Sequence, residues 1–196
     1  MEIIKDFDKV EPKGMDDFKS LPIGAYECII INAVENYNQE TGKTTLKVMV
    51  DISEGEFKGY YQKRFDENNN ADKKWDNNAT RYLAFQGDNV SYFKGFITCV
   101  ENSNVGYKWD WDETKLRGKK ICGVFQYEEY EKQDGTKAVK VRLNKFRSLD
   151  KIKDVEVSDS VKLLNGSYIS IDDYNERKEE SNDSVVTVVT DDELPF

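Results

Sequence analysis

Two hydrophobic periodicities, laid down in a definite order, constrain this chain more than any other feature. Ala25 to Val34 is a short, almost continuous apolar run containing Ile29, Ile30 and Ile31. Its β-branched content predicts a strand. After the turn-forming stretch Asn38-Gln39-Glu40-Thr41-Gly42-Lys43, Leu46, Val48, Val50 and Ile52 alternate with Thr45, Lys47, Met49 and Asp51. That is the period-two signature of a second strand. Glu54-Gly55-Glu56 turns the chain into a third predicted strand, Phe57 to Phe65. Residues 66–80 are polar and Asn-rich, and predict a long loop leading to a short helix near Arg81-Tyr82-Leu83. From Asp88 to Asn102 the period becomes helical: Val90, Phe93, Ile97 and Val100 lie three to four apart, Phe96 widens the stripe, and Asp88 is the expected N-cap. Lys119 to Tyr130 predicts a fourth strand, and Asp134-Gly135 a hairpin turn. Val139, Val141 and Leu143 then alternate with Lys140, Arg142 and Asn144 in a fifth.

Strand, strand, strand, helix, strand, strand is the element order of the OB-fold, a five-stranded Greek-key barrel. The expected fold class is therefore mostly β: an OB-fold-like five-stranded barrel with one helix between strands 3 and 4, followed by an acidic, flexible C-terminal tail. Residues 1–22, with Pro12, Gly14 and Pro22 as breakers, read as an N-terminal arm. Residues 23–150 read as the barrel domain, 151–190 as an acidic, partly disordered linker, and 191–196 as a separate tip. Within the linker, Asp172 to Asp183 is strongly charged, and Val185-Val186-Thr187-Val188-Val189 is β-prone but isolated.

The chain has no histidine. This removes imidazole bases, Ser-His and Cys-His nucleophile pairs and His-containing metal sites. No Walker loop or Gly-rich dinucleotide fingerprint is present. No catalytic residue, metal site or cofactor is expected. Cys28, Cys99 and Cys122 are odd in number and sit in apolar stretches, so they read as small hydrophobes in a reducing cytoplasm. No apolar run approaches the ~18 residues of a membrane span, and the N-terminus lacks the pattern of a signal peptide. No membrane partner is expected.

The net charge of −9 is unevenly placed. Residues 151–196 hold 12 acidic and 5 basic residues, leaving 26 acidic and 24 basic in residues 1–150. Within 115–147 there are 10 basic residues to 4 acidic. A basic segment and an acidic tail thus share one chain, which bears on partners rather than on fold.

OB-folds take single strands across strands 2–3, flanked by the 1–2 and 4–5 loops. Such a surface needs cations along the phosphates and aromatic planes under the bases. On the predicted third strand, Lys58, Tyr60, Gln62 and Arg64 share one face, and Phe57, Tyr61 and Phe65 share the other with Lys63. The expected nucleic-acid-binding residues are Lys58, Tyr60 and Arg64, with Tyr37 and Lys43 in the 1–2 loop. Lys73, Lys74 and Trp75 in the polar loop, Lys132 and Lys137 beside the 4–5 turn, and Lys140 and Arg142 on strand 5 complete the set. Trp109 and Trp111 alternate with Asp110 and Asp112, which would repel phosphate, and are expected to pack against the barrel. With no recognition-helix pattern or zinc-finger spacing, binding should be insensitive to sequence.

The sequence ends in Asp191-Asp192-Glu193-Leu194-Pro195-Phe196. Three carboxylates precede Leu-Pro-Phe. An exposed Phe gains ~1.5–3 kcal/mol only where a partner buries it. Pro195 restricts its own backbone and that of Leu194, so less ordering entropy is lost on binding. This hexapeptide resembles the acidic tip of bacterial and phage single-stranded-DNA-binding proteins. The tip, the strand order and the Lys-rich hairpin together resemble the single-stranded-DNA-binding proteins of phages and mobile elements. The resemblance implies that Phe196 enters an apolar pocket of a replication, recombination or repair protein while Asp191, Asp192 and Glu193 meet basic residues. The long domain and charged linker depart from housekeeping proteins of this kind, and leave homo-oligomer formation open. Two rivals remain. One is an adaptor that presents the tip as a decoy to host replication proteins without binding DNA. The other is a metal-dependent nuclease, in which Asp51 and Glu56-Phe57-Lys58 would supply an Asp…Glu-x-Lys set.

Overall fold

The structure, a computed structural model, describes residues 20–183, with side chains through 179. Strand β1 (Gly24–Asn38) runs antiparallel to β2 (Lys43–Ile52), and β2 to β3 (Thr80–Ala84). The first half of β1 also pairs with β4 (Lys120–Glu131), whose other edge carries β5 (Lys137–Arg147). Two short strands, β6 (Ser160–Lys162) and β7 (Tyr168–Ser170), extend β4 where β1 leaves it, with β6 parallel to β4. The result is one mostly-β, seven-stranded sheet in which β3 lies beside β5 without a hydrogen-bonded ladder, so the sheet is not closed. Helix α1 (Tyr60–Glu67) follows β2, α2 (Val90–Ser103) separates β3 from β4, and α3 (Ile171–Asp183) ends the described chain.

One strand can serve two neighbours because it bends. The register of β1 shifts between Ile30 and Asn32, and its buried positions change phase from Cys28 and Ile30 to Ala33. A bulge of this kind adds one residue and increases local twist. β4 shifts likewise between Val124 and Phe125. The core lies between the inner face of the sheet and α2: Ile30, Val48, Val50, Ile121, Phe125 and Leu143 meet Phe93, Phe96, Ile97 and Val100. Gly123 on β4 permits this packing, since a Cβ there would stand 2.9 Å from Cys28 Sγ.

The predicted strands 1, 2, 4 and 5 and the helix between strands 3 and 4 are present, and four expectations are overturned. Phe57 to Phe65 is no strand. Gly55 and Gly59 take left-handed φ values of 84° and 71°, and the chain enters α1. The buried Asp51 side chain fixes that outcome. Its Oδ1 accepts from Ile52 N (2.8 Å) and Tyr61 N (2.9 Å), and its Oδ2 from Gln62 N (3.2 Å). A carboxylate on β2 thus satisfies the otherwise orphaned donors of the first turn of α1. Lys63, out of place on a core-facing strand, is exposed on this helix. The third strand is instead Thr80–Ala84, where a short helix was expected. Asp88 does not cap α2; it lies in a short 3-10 turn, and Asn89 occupies the cap position without a side-chain bond. The charged stretch from Asp172 is not linker but α3, anchored by the buried Tyr174. Val185–Val189 lies outside the described residues.

Candidate nucleic-acid interface

The outer face of β1–β2–β3 is set by register. Val34 stands opposite Lys47 and Lys47 opposite Tyr82, so the three form one row across the sheet. The Lys47 ammonium lies 5.9 Å from the centroid of the Tyr82 ring. Tyr82 is 43% exposed and Val34 is exposed beside it. A cation held over one face of a partly exposed aromatic ring offers a phosphate contact beside a stacking plane. Sequence reading assigned neither residue to the site. In the sequence Lys47 is only the polar phase of strand 2, and Tyr82 falls in the expected short helix that is instead β3.

The predicted residues separate into four groups. Tyr37 and Lys43 are exposed at the two ends of the β1–β2 turn, Tyr37 at 63%. The turn is held by Asn38 Oδ1, which accepts from Glu40 N and Thr41 N.

Lys58, Tyr60 and Arg64 do not share a strand face. Lys58 lies on the turn before α1, 3.9 Å from Glu54. Tyr60 begins α1, half-buried, in edge contact with Phe57 and Tyr61. Arg64 sits one turn later, 5.7 Å from the Tyr60 ring and 3.3 Å from Asp76.

In the polar loop, Lys73 lies 4.6 Å over the Phe65 ring and Lys74 is exposed. Trp75 packs against the core, and its indole N–H donates to Val50 O at 3.1 Å. It is therefore a fastening of the loop to β2, not the solvated plane expected from its polar surroundings.

On the β4–β5 hairpin, Lys140 lies 4.6 Å over the Tyr130 ring. Arg142 donates to Glu128 at 3.0 Å. Lys132 is exposed at the turn, and Lys137 reaches Glu129 at 3.7 Å. Glu128 also acts on Arg81, whose guanidinium is held below its ordinary value by burial, with Arg142 adding repulsion and Glu128 opposing both. Arg81, Glu128 and Arg142 thus form one electrostatic group where β3 and β5 face each other without a ladder. The cation–aromatic pairs Lys47–Tyr82, Arg64–Tyr60, Lys73–Phe65 and Lys140–Tyr130 are spread over the sheet, α1 and the loop after it.

The tryptophan pair divides. Trp109 packs against Phe93 as expected, but Trp111 is 79% exposed at a φ of 67°. In the nuclease set, both oxygens of Asp51 accept from backbone donors, and Lys58 lies 3.9 Å from Glu54. Among the described residues there is no group of three or more His, Cys, Asp or Glu able to hold a metal, and no helix long and apolar enough to cross a membrane. The tip residues Asp191, Asp192, Glu193, Leu194, Pro195 and Phe196 lie outside the described residues. No protein-family model matches this chain, and no curated protein matches it.

Proposed function

We propose that the chain binds single-stranded DNA, with little regard to sequence, on an OB-like sheet face, and that its C-terminal tip docks replication, recombination or repair proteins. The observation that carries the first half is the Lys47–Tyr82 pair on the outer face of β2 and β3. The β1–β2 hairpin that carries Lys47 also carries the exposed Tyr37 and Lys43 at its tip, and Lys132 and Lys137 add cations at the tip of the β4–β5 hairpin. The strand neighbours support an OB-like reading: β1 lies between β2 and β4, β3 flanks β2, and β5 flanks β4. The second half rests on the tip sequence alone. Its carboxylates would also compete with phosphate for the basic surface, so DNA binding would free the tip for partners.

Anisotropy of a labelled oligo(dT) across a salt titration tests the DNA half. Binding should weaken with salt, and Lys47→Ala should reduce the log–log slope by about 0.7, the value for one phosphate contact on a single strand. No binding at low salt refutes the reading. Tip-dependent capture of replication proteins without DNA binding would identify the adaptor instead. Removal of residues 185–196 should tighten binding at low salt and matter less at high salt. Phe196→Ala should abolish partner capture and spare DNA binding.

A further inference from the structure

A groove of about 560 Å³ lies between β3, the start of α2 and the end of β5. Arg81, Lys145 and Arg147 line it, and no Asp or Glu does, in a chain with 38 acidic and 29 basic residues. Lys145 stands on β5 opposite Val124, and Arg147 opposite Cys122. No carboxylate among the described residues pairs with either. Tyr92 enters from α2 at 76% exposure, and Tyr82 enters from β3. A tyrosine that open on a helix gains nothing from the core, and beside cations it offers a plane for a base. Tyr82 belongs both to this groove and to the outer face of β2–β3, so the two surfaces are continuous. The volume is that of a pocket for one drug-sized ligand, which suits one or two nucleotides rather than a duplex.

We propose that single-stranded DNA leaves the β2–β3 face over Tyr82 and enters this groove, where Tyr92 stacks on a base and Lys145 and Arg147 hold phosphates. This rests on the DNA-binding reading and adds a segment of the path that lies off the sheet face.

Cys99 supplies a direct probe. It is half-buried and lines the groove, whereas Cys28 and Cys122 are wholly buried. Burial raises both of those thiols, that of Cys122 to about 11. A maleimide added to the native full-length chain should therefore react first at Cys99. At about nine-tenths occupancy by oligo(dT), the Cys99 labelling rate should fall about tenfold, following the unbound fraction. Tyr92→Ala should weaken oligo(dT) binding about tenfold, within the range for one stacked base. Lys145→Glu with Arg147→Glu should weaken it at least as much and lower the salt slope. If the wild type binds oligo(dT) while Cys99 labels at an unchanged rate, the groove is off the path, and the sheet-face reading survives. The same conclusion follows if both sets of variants bind like wild type. If the wild type binds no oligo(dT), both readings fall.

Discussion

Asp51→Ala should unfasten α1 from the sheet. Asp51 is 4% exposed and accepts three backbone N–H groups, two of them from the first turn of α1. Each buried donor left without an acceptor costs ~1–3 kcal/mol. Removing a desolvated carboxylate offsets part of that loss, so the net expectation is ~2–4 kcal/mol. For a chain of this size each kcal/mol lowers Tm by roughly 2–4 °C, which gives a drop of about 4–16 °C. The effect should spread, because α1 carries Tyr61, stacked on Phe125 at 6.0 Å in the core. Burial, the largest cause, holds the Asp51 carboxyl above its ordinary value, while the N–H groups of Tyr61, Ile52 and Gln62 and the Lys63 charge pull it down. A carboxyl raised in the folded state binds its proton more tightly there than in the unfolded chain. Its contribution is full below the unfolded value near ~4 and lessens as pH rises through the folded value. Calorimetry should therefore show a smaller Ala penalty at pH 7 than at pH 4. An Asp51→Ala protein that melts with the wild type at both pH values would refute this account of why residues 60–67 are helical.

Gly123→Ala places a Cβ 2.9 Å from Cys28 Sγ and 3.2 Å from Leu143 Cδ1. It should lower the urea midpoint by the equivalent of ~1–3 kcal/mol, and Cys28→Ala should recover part of it; an unchanged midpoint contradicts the packing. Glu129 is buried, accepts from Leu164 N at 3.0 Å and pairs with Lys137, and burial, together with the Glu129 charge, holds the Tyr174 hydroxyl above its ordinary value. Glu129→Ala should speed hydrogen exchange in residues 160–179 by about 10–100-fold while sparing β1 and β2, since the lost partners hold only that segment; equal exchange would mean Glu129 does not clamp it. Trp75→Phe removes the bond to Val50 O and should cost ~0.5–1.5 kcal/mol in denaturant melts with oligo(dT) affinity unchanged. Weaker oligo binding at full stability would return Trp75 to the DNA surface.

Legibility followed the contrast between a strand's two faces. β2 could be read directly because core-facing Leu46, Val48 and Val50 alternate with Lys47 and Met49, while β5 kept its apolar period only as far as Leu143, beyond which Phe146 is buried out of phase. Phe57, Tyr61 and Phe65 carried no such contrast: a spacing of four satisfies a strand of period two and also one face of a helix. Asp51, ten residues before Tyr61, decided between them through its side chain. Thr80–Ala84 was too short to show a period, and it became a strand because the free edge of β2 was there to pair with it. The site followed the same division. The cationic hairpins and their tips were plain in the sequence, whereas the Lys47–Tyr82 pair exists only through cross-strand register.

By itself the sequence determined the β-rich class, the hairpin turns at Asn38–Lys43 and Asp134–Gly135, the helix between strands 3 and 4, and the separation of a basic hairpin from an acidic tail. These are local matters of side-chain period, turn chemistry and charge count. Only the tertiary structure decided which segment became β3, that Trp75 is a fastening, that β6, β7 and α3 build onto β4, and that Arg81, Tyr82, Tyr92, Lys145 and Arg147 share one groove. Each of those depends on a partner far away in the chain, and no local pattern names a distant partner.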